Sequence, residues 1–244
     1  MASACLRHLV VASAALAGMA GCVHAPRSPG APRAPTDYAA AMALARLVER
    51  QGRAEAAARG YRELAHAHPR EAGPLHRLAI LEAGQGRRES AEALFRRAVS
   101  RAPGDVELLN DFGYWLATQG RPAEAEAVLR AALAIRPDHP LACNNLGDVV
   151  ARQGRFAEGL DLFRRGGGEA DAHANLAFIL ARLGHLDGAR RHYRRALRLD
   201  PTLRPAAEAL AQLDRPPADP EVQTAGGSRA APPPGPGAPA PASY

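Results

Sequence analysis

The chain has 244 residues, is rich in Ala, Arg, Gly and Pro, is only 5% aromatic, and carries a formal charge of +6. So few aromatic rings exclude a thick globular core and suit thin helical layers held together by Leu and Ala. All 31 basic residues are Arg and they mix with Asp and Glu along nearly every segment, without the clustering that a nucleic-acid surface needs; the three cysteines, Cys5, Cys22 and Cys143, share no metal-ligand or disulfide spacing.

Residues 1–21 read as a signal peptide. Arg7 supplies the basic n-region, and the apolar run from Leu9 to Ala20 falls far short of the ~20 residues that span a bilayer. The run ends in Met19-Ala20-Gly21-Cys22, which resembles a bacterial lipobox, with Met19 where that family usually has Leu. The resemblance implies cleavage before Cys22 and acylation of that residue, giving a lipoprotein held in the cell envelope and facing the periplasm. Val23 leaves out the acidic inner-membrane retention signal, which favours the outer membrane in a Gram-negative cell. Ordinary cleavage after Ala20, giving a soluble periplasmic protein, is the alternative. Residues 22–36 are too rich in Pro for a helix or a central strand and read as a semi-extended tether.

A strong internal period follows. Gly52, Gly86, Gly120 and Gly154 are spaced 34 residues apart, and Pro69, Pro103 and Pro137 keep the same interval. Each unit holds two amphipathic helical stretches separated by a Gly turn and closed by Pro. Taking Tyr38 as position 1, position 7 is Leu44, Leu78, Phe112, Leu146 and Leu176. Position 8 is Ala45, Ala79, Gly113, Gly147 and Ala177. Position 20 is Ala57, Ala91, Ala125, Gly159 and Ala189, and position 24 is Tyr61, Phe95, Leu129, Phe163 and Tyr193. Small residues at 8 and 20 let paired helices approach, and the large residue at 24 fills the space beside the crossing. In this pattern the chain resembles the tetratricopeptide repeat. The resemblance implies an all-α solenoid, a right-handed superhelix of about five helix-turn-helix units, over residues 37–214. The units cover about 38–71, 72–105, 106–139, 140–169 and 170–203, with a capping helix over 203–213 and a tail without regular structure from 215 to 244.

In that family the first helix of each pair lines a concave groove that takes protein or peptide partners. The corresponding positions here are Arg46, Glu49 and Arg50; His76, Arg77 and Ile80; Asn110, Asp111 and Tyr114; Asn144, Asn145, Asp148 and Arg152; and Asn175, Phe178 and Arg182. The family often uses Asn at position 6, here Asn145 and Asn175, to bond the backbone of an extended peptide, since an amide both donates and accepts. Arg152 and Arg182 stand one repeat apart and suit a carboxylate, while Tyr114 and Phe178 supply apolar groove surface. Trp115 is expected to pack between units and Cys143 to be a buried, inert thiol. His66 and His68, two apart on a helix, point to different sides and lack a third ligand. No nucleophile elbow or catalytic acid pair is present, and the repeats leave no length for a catalytic domain. No cofactor, metal, nucleic acid or small-molecule substrate is therefore expected.

One stretch breaks the period. From Gly154 to Gly184 is 30 residues rather than 34, and the four missing residues fall at Gly166-Gly167-Gly168. The spacing predicts a fourth unit whose second helix is about one turn short, with the three glycines making a bend. A phosphate-binding loop is excluded, because no strand precedes it and the chain has no Lys. The whole is broadly similar to bacterial envelope lipoproteins built from these repeats, including those of TadD-type Flp pilus assembly. That implies a non-enzymatic scaffold or adaptor assisting assembly of an envelope complex. A soluble adaptor without lipid and an accessory subunit of an enzyme are the rival expectations.

Overall fold

The computed structural model describes residues 38–215. The expected signal peptide, Cys22, the tether and nearly all of the tail lie outside the described residues. Within them the chain is all-α: α1 (Tyr38–Arg50), α2 (Ala54–Ala67), α3 (Gly73–Gly84), α4 (Arg88–Arg101), α5 (Val106–Thr118), α6 (Pro122–Ile135), α7 (Pro140–Arg152), α8 (Phe156–Gly167), α9 (Glu169–Arg182), α10 (Leu186–Leu199) and α11 (Arg204–Leu213). Consecutive pairs form five stacked hairpins, and α11 lays Ala206, Leu210 and Leu213 against the last of them.

The turns follow from the repeated glycines. Gly52, Gly86, Gly120, Gly154 and Gly184 all have φ between 73° and 84°. At each, the next amide bonds the carbonyl five residues back, as in Arg53 N to Val48 O (3.2 Å) and His185 N to Leu180 O (2.8 Å). That is the Schellman closure, which satisfies carbonyls left over at a helix end. The second helices α2, α4, α6 and α10 each stop two residues before a proline, because the residue preceding Pro is pushed out of the helical region.

Inside each hairpin the small residues sit where the helices cross. Ala79, Ala177, Ala57, Ala91, Ala125 and Ala189 are fully buried, as are or nearly are Tyr61, Phe95, Leu129, Phe163 and Tyr193 beside them. A Cβ on Gly147 would come within 2.7 Å of the Phe163 ring, so the large residue at position 24 dictates glycine at position 8 there. Position 7 is buried in hairpins 2–5, but Leu44 is 61% exposed, since it lies on the open end of the stack where no hairpin precedes it among the described residues.

The fourth hairpin corrects the expected three-glycine bend. Gly166 and Gly167 remain helical, and Gly168 alone makes the turn, at φ 90° and ψ −179°, a conformation essentially restricted to glycine. It is the only residue between α8 and α9. Helix α8 has 12 residues against 14 in α2, α4, α6 and α10, so the deletion is shared between a shortened helix and a lost linker.

Candidate functional site

The first helices place their predicted residues in one row, but not as one uniform surface. At the N-terminal end a cavity of about 660 Å³ opens between α1, α3 and α5. Arg46, Glu49 and Arg50 enter it from α1, His76 and Arg77 from α3, and Asp111 from α5. Arg77 is not presented for binding as expected. Its Nη2 lies 2.5 Å from Glu49 Oε1 with both side chains buried, and Tyr61 Oη donates to Glu49 Oε2 at 2.6 Å. Burial opposes charge on Arg77, yet the hydrogen bond and charge of Glu49 keep its pKa above the usual value; burial and the bond to Glu49 push Tyr61 up. Position 6 of hairpin 2 and position 12 of hairpin 1 thus form a structural ion pair beneath the cavity.

The acids around the cavity are engaged within the chain. Asp111 holds His76 Nε2 at 2.9 Å, and Glu107 accepts from Arg136 at 2.8 Å. The bond from Arg136 lowers the Glu107 pKa. Asp105 caps α5 by accepting from Leu108 N at 3.1 Å. Arg46 and Arg50, by contrast, are exposed and make no ion pair among the described residues. Asp105 and Glu107 also line the cavity and were not singled out from sequence; Glu107 occupies repeat position 2, one of the family's groove positions.

Further along, the row becomes an amide chain. Asn110 donates to Asp111 Oδ1 at 3.2 Å, and Asn145 Nδ2 donates to Asn110 Oδ1 at 2.9 Å, from one hairpin to the next. Asn110 and Asn145 are both buried. One N–H of the Asn145 amide is therefore engaged within the fold. Tyr114 stands beside this chain, 37% exposed.

At the C-terminal end both arginines of the expected carboxylate site have neighbours within the chain. Arg152 is bound to Asp148 at 2.6 Å, and the Arg182 guanidinium stacks over Phe178, 5.7 Å from the ring centre. Asn144 is corrected as well. Its Oδ1 is fully buried without a hydrogen-bond donor among the described residues and abuts Gly166, where a Cβ would come within 2.5 Å of it. It packs on the end of α8 instead of lining the row. Asn175 is 7% exposed, and its amide makes no hydrogen bond among the described residues.

The remaining singled-out residues have structural surroundings. Trp115 is buried against Phe112 and Phe95. Cys143 is buried, and burial pushes its thiol pKa up, away from the reactive thiolate. His68 stacks edge-on against Tyr38 with ring centres 5.0 Å apart. Among the described residues no cluster of three or more His, Cys, Asp or Glu is placed to hold a metal, and no helix is long and apolar enough to cross a membrane.

Comparison with known proteins agrees with this architecture. Tetratricopeptide repeat profiles match residues 76–140, 112–167 and 170–203. Among solved structures, the chain is similar to Pseudomonas aeruginosa PilF (21% identity, TM-score 0.55, covering 72% of this chain and 88% of that one). It is similar to PilW, a type IV pilus biogenesis factor (22% identity, TM-score 0.60, 74% and 87%). YrrB, described as having an unusual peptide-binding site, is a further match (18% identity, TM-score 0.56, 72% and 98%). No curated protein matches the chain by sequence.

Proposed function

The chain belongs to the tetratricopeptide repeat family, and we propose that it is a non-enzymatic scaffold that holds a carboxylate-bearing segment of a protein partner along its first helices. The supporting observation is the cavity between α1, α3 and α5, where every acid except a helix cap is engaged by a basic side chain while Arg46 and Arg50 make no ion pair among the described residues. A guanidinium pair of this kind takes a carboxylate with several charge-assisted hydrogen bonds. Asn175, buried and without a side-chain hydrogen bond among the described residues, offers an amide for a peptide backbone farther along. On this reading the protein is exported and anchored through an acylated Cys22. It assists assembly of an envelope complex of pilus or secretion type; the pilus class is favoured by the likeness to PilW, described as a type IV pilus biogenesis factor.

Two experiments test it. Cys22→Ala should release the protein from membranes and abolish acyl labelling; unchanged membrane association refutes the anchor. Arg46→Ala with Arg50→Ala and Asn175→Ala should lose partners recovered from envelope extracts while keeping helicity. Recovery of the same partners by this triple variant removes the groove assignment.

A further inference from the structure

The outer seams between second helices close in a repeated way. Glu92 and Arg96 of α4 meet Arg121 and Glu124 at the start of α6, with Arg121 Nη1 2.7 Å from Glu92 Oε2. Thirty-four residues on, Glu126 and Arg130 meet Arg155 and Glu158 in the same arrangement, with Arg155 Nη1 2.8 Å from Glu126 Oε1. The next seam, between α8 and α10, carries Leu160, Arg164, His185 and Gly188 at the equivalent positions once the four-residue deletion is allowed for. Both acidic partners that built the other seams are gone from those positions, and His185 stands in place of one arginine.

What replaces them is an open cavity of about 600 Å³ in which half-buried Phe156 and exposed Leu186 offer apolar surface, while His185, Asp187, Arg191 and His192 make the rest of its wall mainly polar. From Arg191 a row of arginines runs along α10 through Arg195 and Arg198. The spacing of four and then three residues sets all three on one exposed face, over a length of roughly 10 Å. None of the three makes an ion pair among the described residues, whereas Arg190 and Arg194 are both held by Asp214. At the same repeat positions hairpin 3 has Ala127, Ala131 and Ala134.

The geometry points to a second docking surface, on α10 and the α8–α10 seam, for an acidic peptide segment that places one apolar side chain in the cavity and carboxylates on Arg191, Arg195 and Arg198. This surface is separate from the first-helix row and does not depend on the reading of that row. Charge selects the occupant: the α4–α6 and α6–α8 seams are closed by carboxylates on arginines, whereas here Arg164 is turned to Asp161 and Glu169, and Arg191, Arg195 and Arg198 make no ion pair among the described residues. The cavity decides between polyanions. A headgroup surface or a nucleic-acid backbone satisfies the row but leaves Phe156 and Leu186 uncovered, while a peptide with one apolar side chain satisfies both.

The test uses the purified chain and a fluorescein-labelled helical peptide carrying one Phe and a row of Glu at i, i+4 and i+7, read by fluorescence anisotropy. Binding should weaken about tenfold or more in Arg191→Ala/Arg195→Ala/Arg198→Ala, and in the peptide with Phe replaced by Ala. Gly188→Glu is the second variant. A Cβ there meets Leu180 Cδ1 at 3.4 Å, an ordinary contact, so α10 should accept it, and it returns the missing acid to the seam. It too should abolish peptide binding, with an unchanged circular dichroism spectrum, while Arg46→Ala/Arg50→Ala should not affect it. Peptide binding that survives the triple Arg variant, or is indifferent to the Phe, overturns the proposal. So does Arg-dependent binding of phosphatidylglycerol vesicles or single-stranded DNA with none of the peptide.

Discussion

Replacing Arg77 by Met isolates the cost of the ion pair beneath the first-helix cavity. Glu49 and Arg77 have side chains only 6% and 9% exposed, so the variant leaves a buried carboxylate with Tyr61 as its remaining hydrogen-bond donor. Breaking a buried pair on one side costs about 3–5 kcal/mol, because the surviving charge stays desolvated and uncompensated. For a folded region of this size that corresponds to a fall in Tm of roughly 6–20 °C. In a stack of repeats the loss should concentrate in the hairpins that share the pair. Hydrogen exchange should therefore show α1–α4 deprotected first, with α9 and α10 nearly unchanged. The companion variant Glu49→Leu/Arg77→Met/Tyr61→Phe removes all three polar groups together and should recover most of the stability, since a well-packed apolar replacement is often neutral. A single variant that loses less than about 1 kcal/mol, or a triple variant as unstable as the single, refutes the argument.

Gly168→Ala should destabilise the junction of hairpins 4 and 5 by about 1–3 kcal/mol, measured by chemical denaturation, because its backbone conformation excludes a Cβ. Acid should weaken the seams between hairpins 2, 3 and 4. Hydrogen bonds from Arg121 and then Arg96 hold the Glu92 pKa down to about 2, and arginine bonds likewise lower Glu124, Glu126 and Glu158. Their contribution is complete above the ordinary carboxylate pKa of 4.5 and is lost as pH falls from there toward about 2. Arg121→Ala should flatten the Tm-against-pH curve in that window. A second pH effect is expected nearer neutrality. His173 and His192 face each other with Nδ1 atoms 2.9 Å apart, and burial lowers both pKa values. The unfolded chain therefore binds more protons just below pH 6.5, so stability falls as pH drops through that region. His192→Asn should remove part of that slope in denaturation measured from pH 7 to pH 5.

The hairpins were legible in the sequence because each depends on residues within a few turns of one another. Glycine closes the first helix, proline stops the second, and Ala or Gly sits opposite a large residue at position 24. The row was legible only as a face. Helical position shows which residues share a side, not which neighbour reaches them across 28 or 35 residues. Glu49 with Arg77 and Asn110 with Asn145 are such pairs, and stacking alone brings them together. The glycine stretch misled for a different reason. Low helix propensity marks Gly166 and Gly167 as a break, but the absence of a Cβ at Gly166 admits Asn144 and Pro140 of α7, and that packing keeps the residues helical.

The claim that a partner lies along the first helices is tested most directly by site-specific photocrosslinking in cells. A photoreactive residue in place of Tyr114 sits on the first-helix row, and one in place of Ala127 sits on the exposed side of α6. The account predicts a discrete crosslinked envelope protein from position 114 that disappears when Arg46→Ala/Arg50→Ala is added, and none of that species from position 127. The same product from both positions, or one from 114 that persists in the Arg46/Arg50 variant, would contradict it.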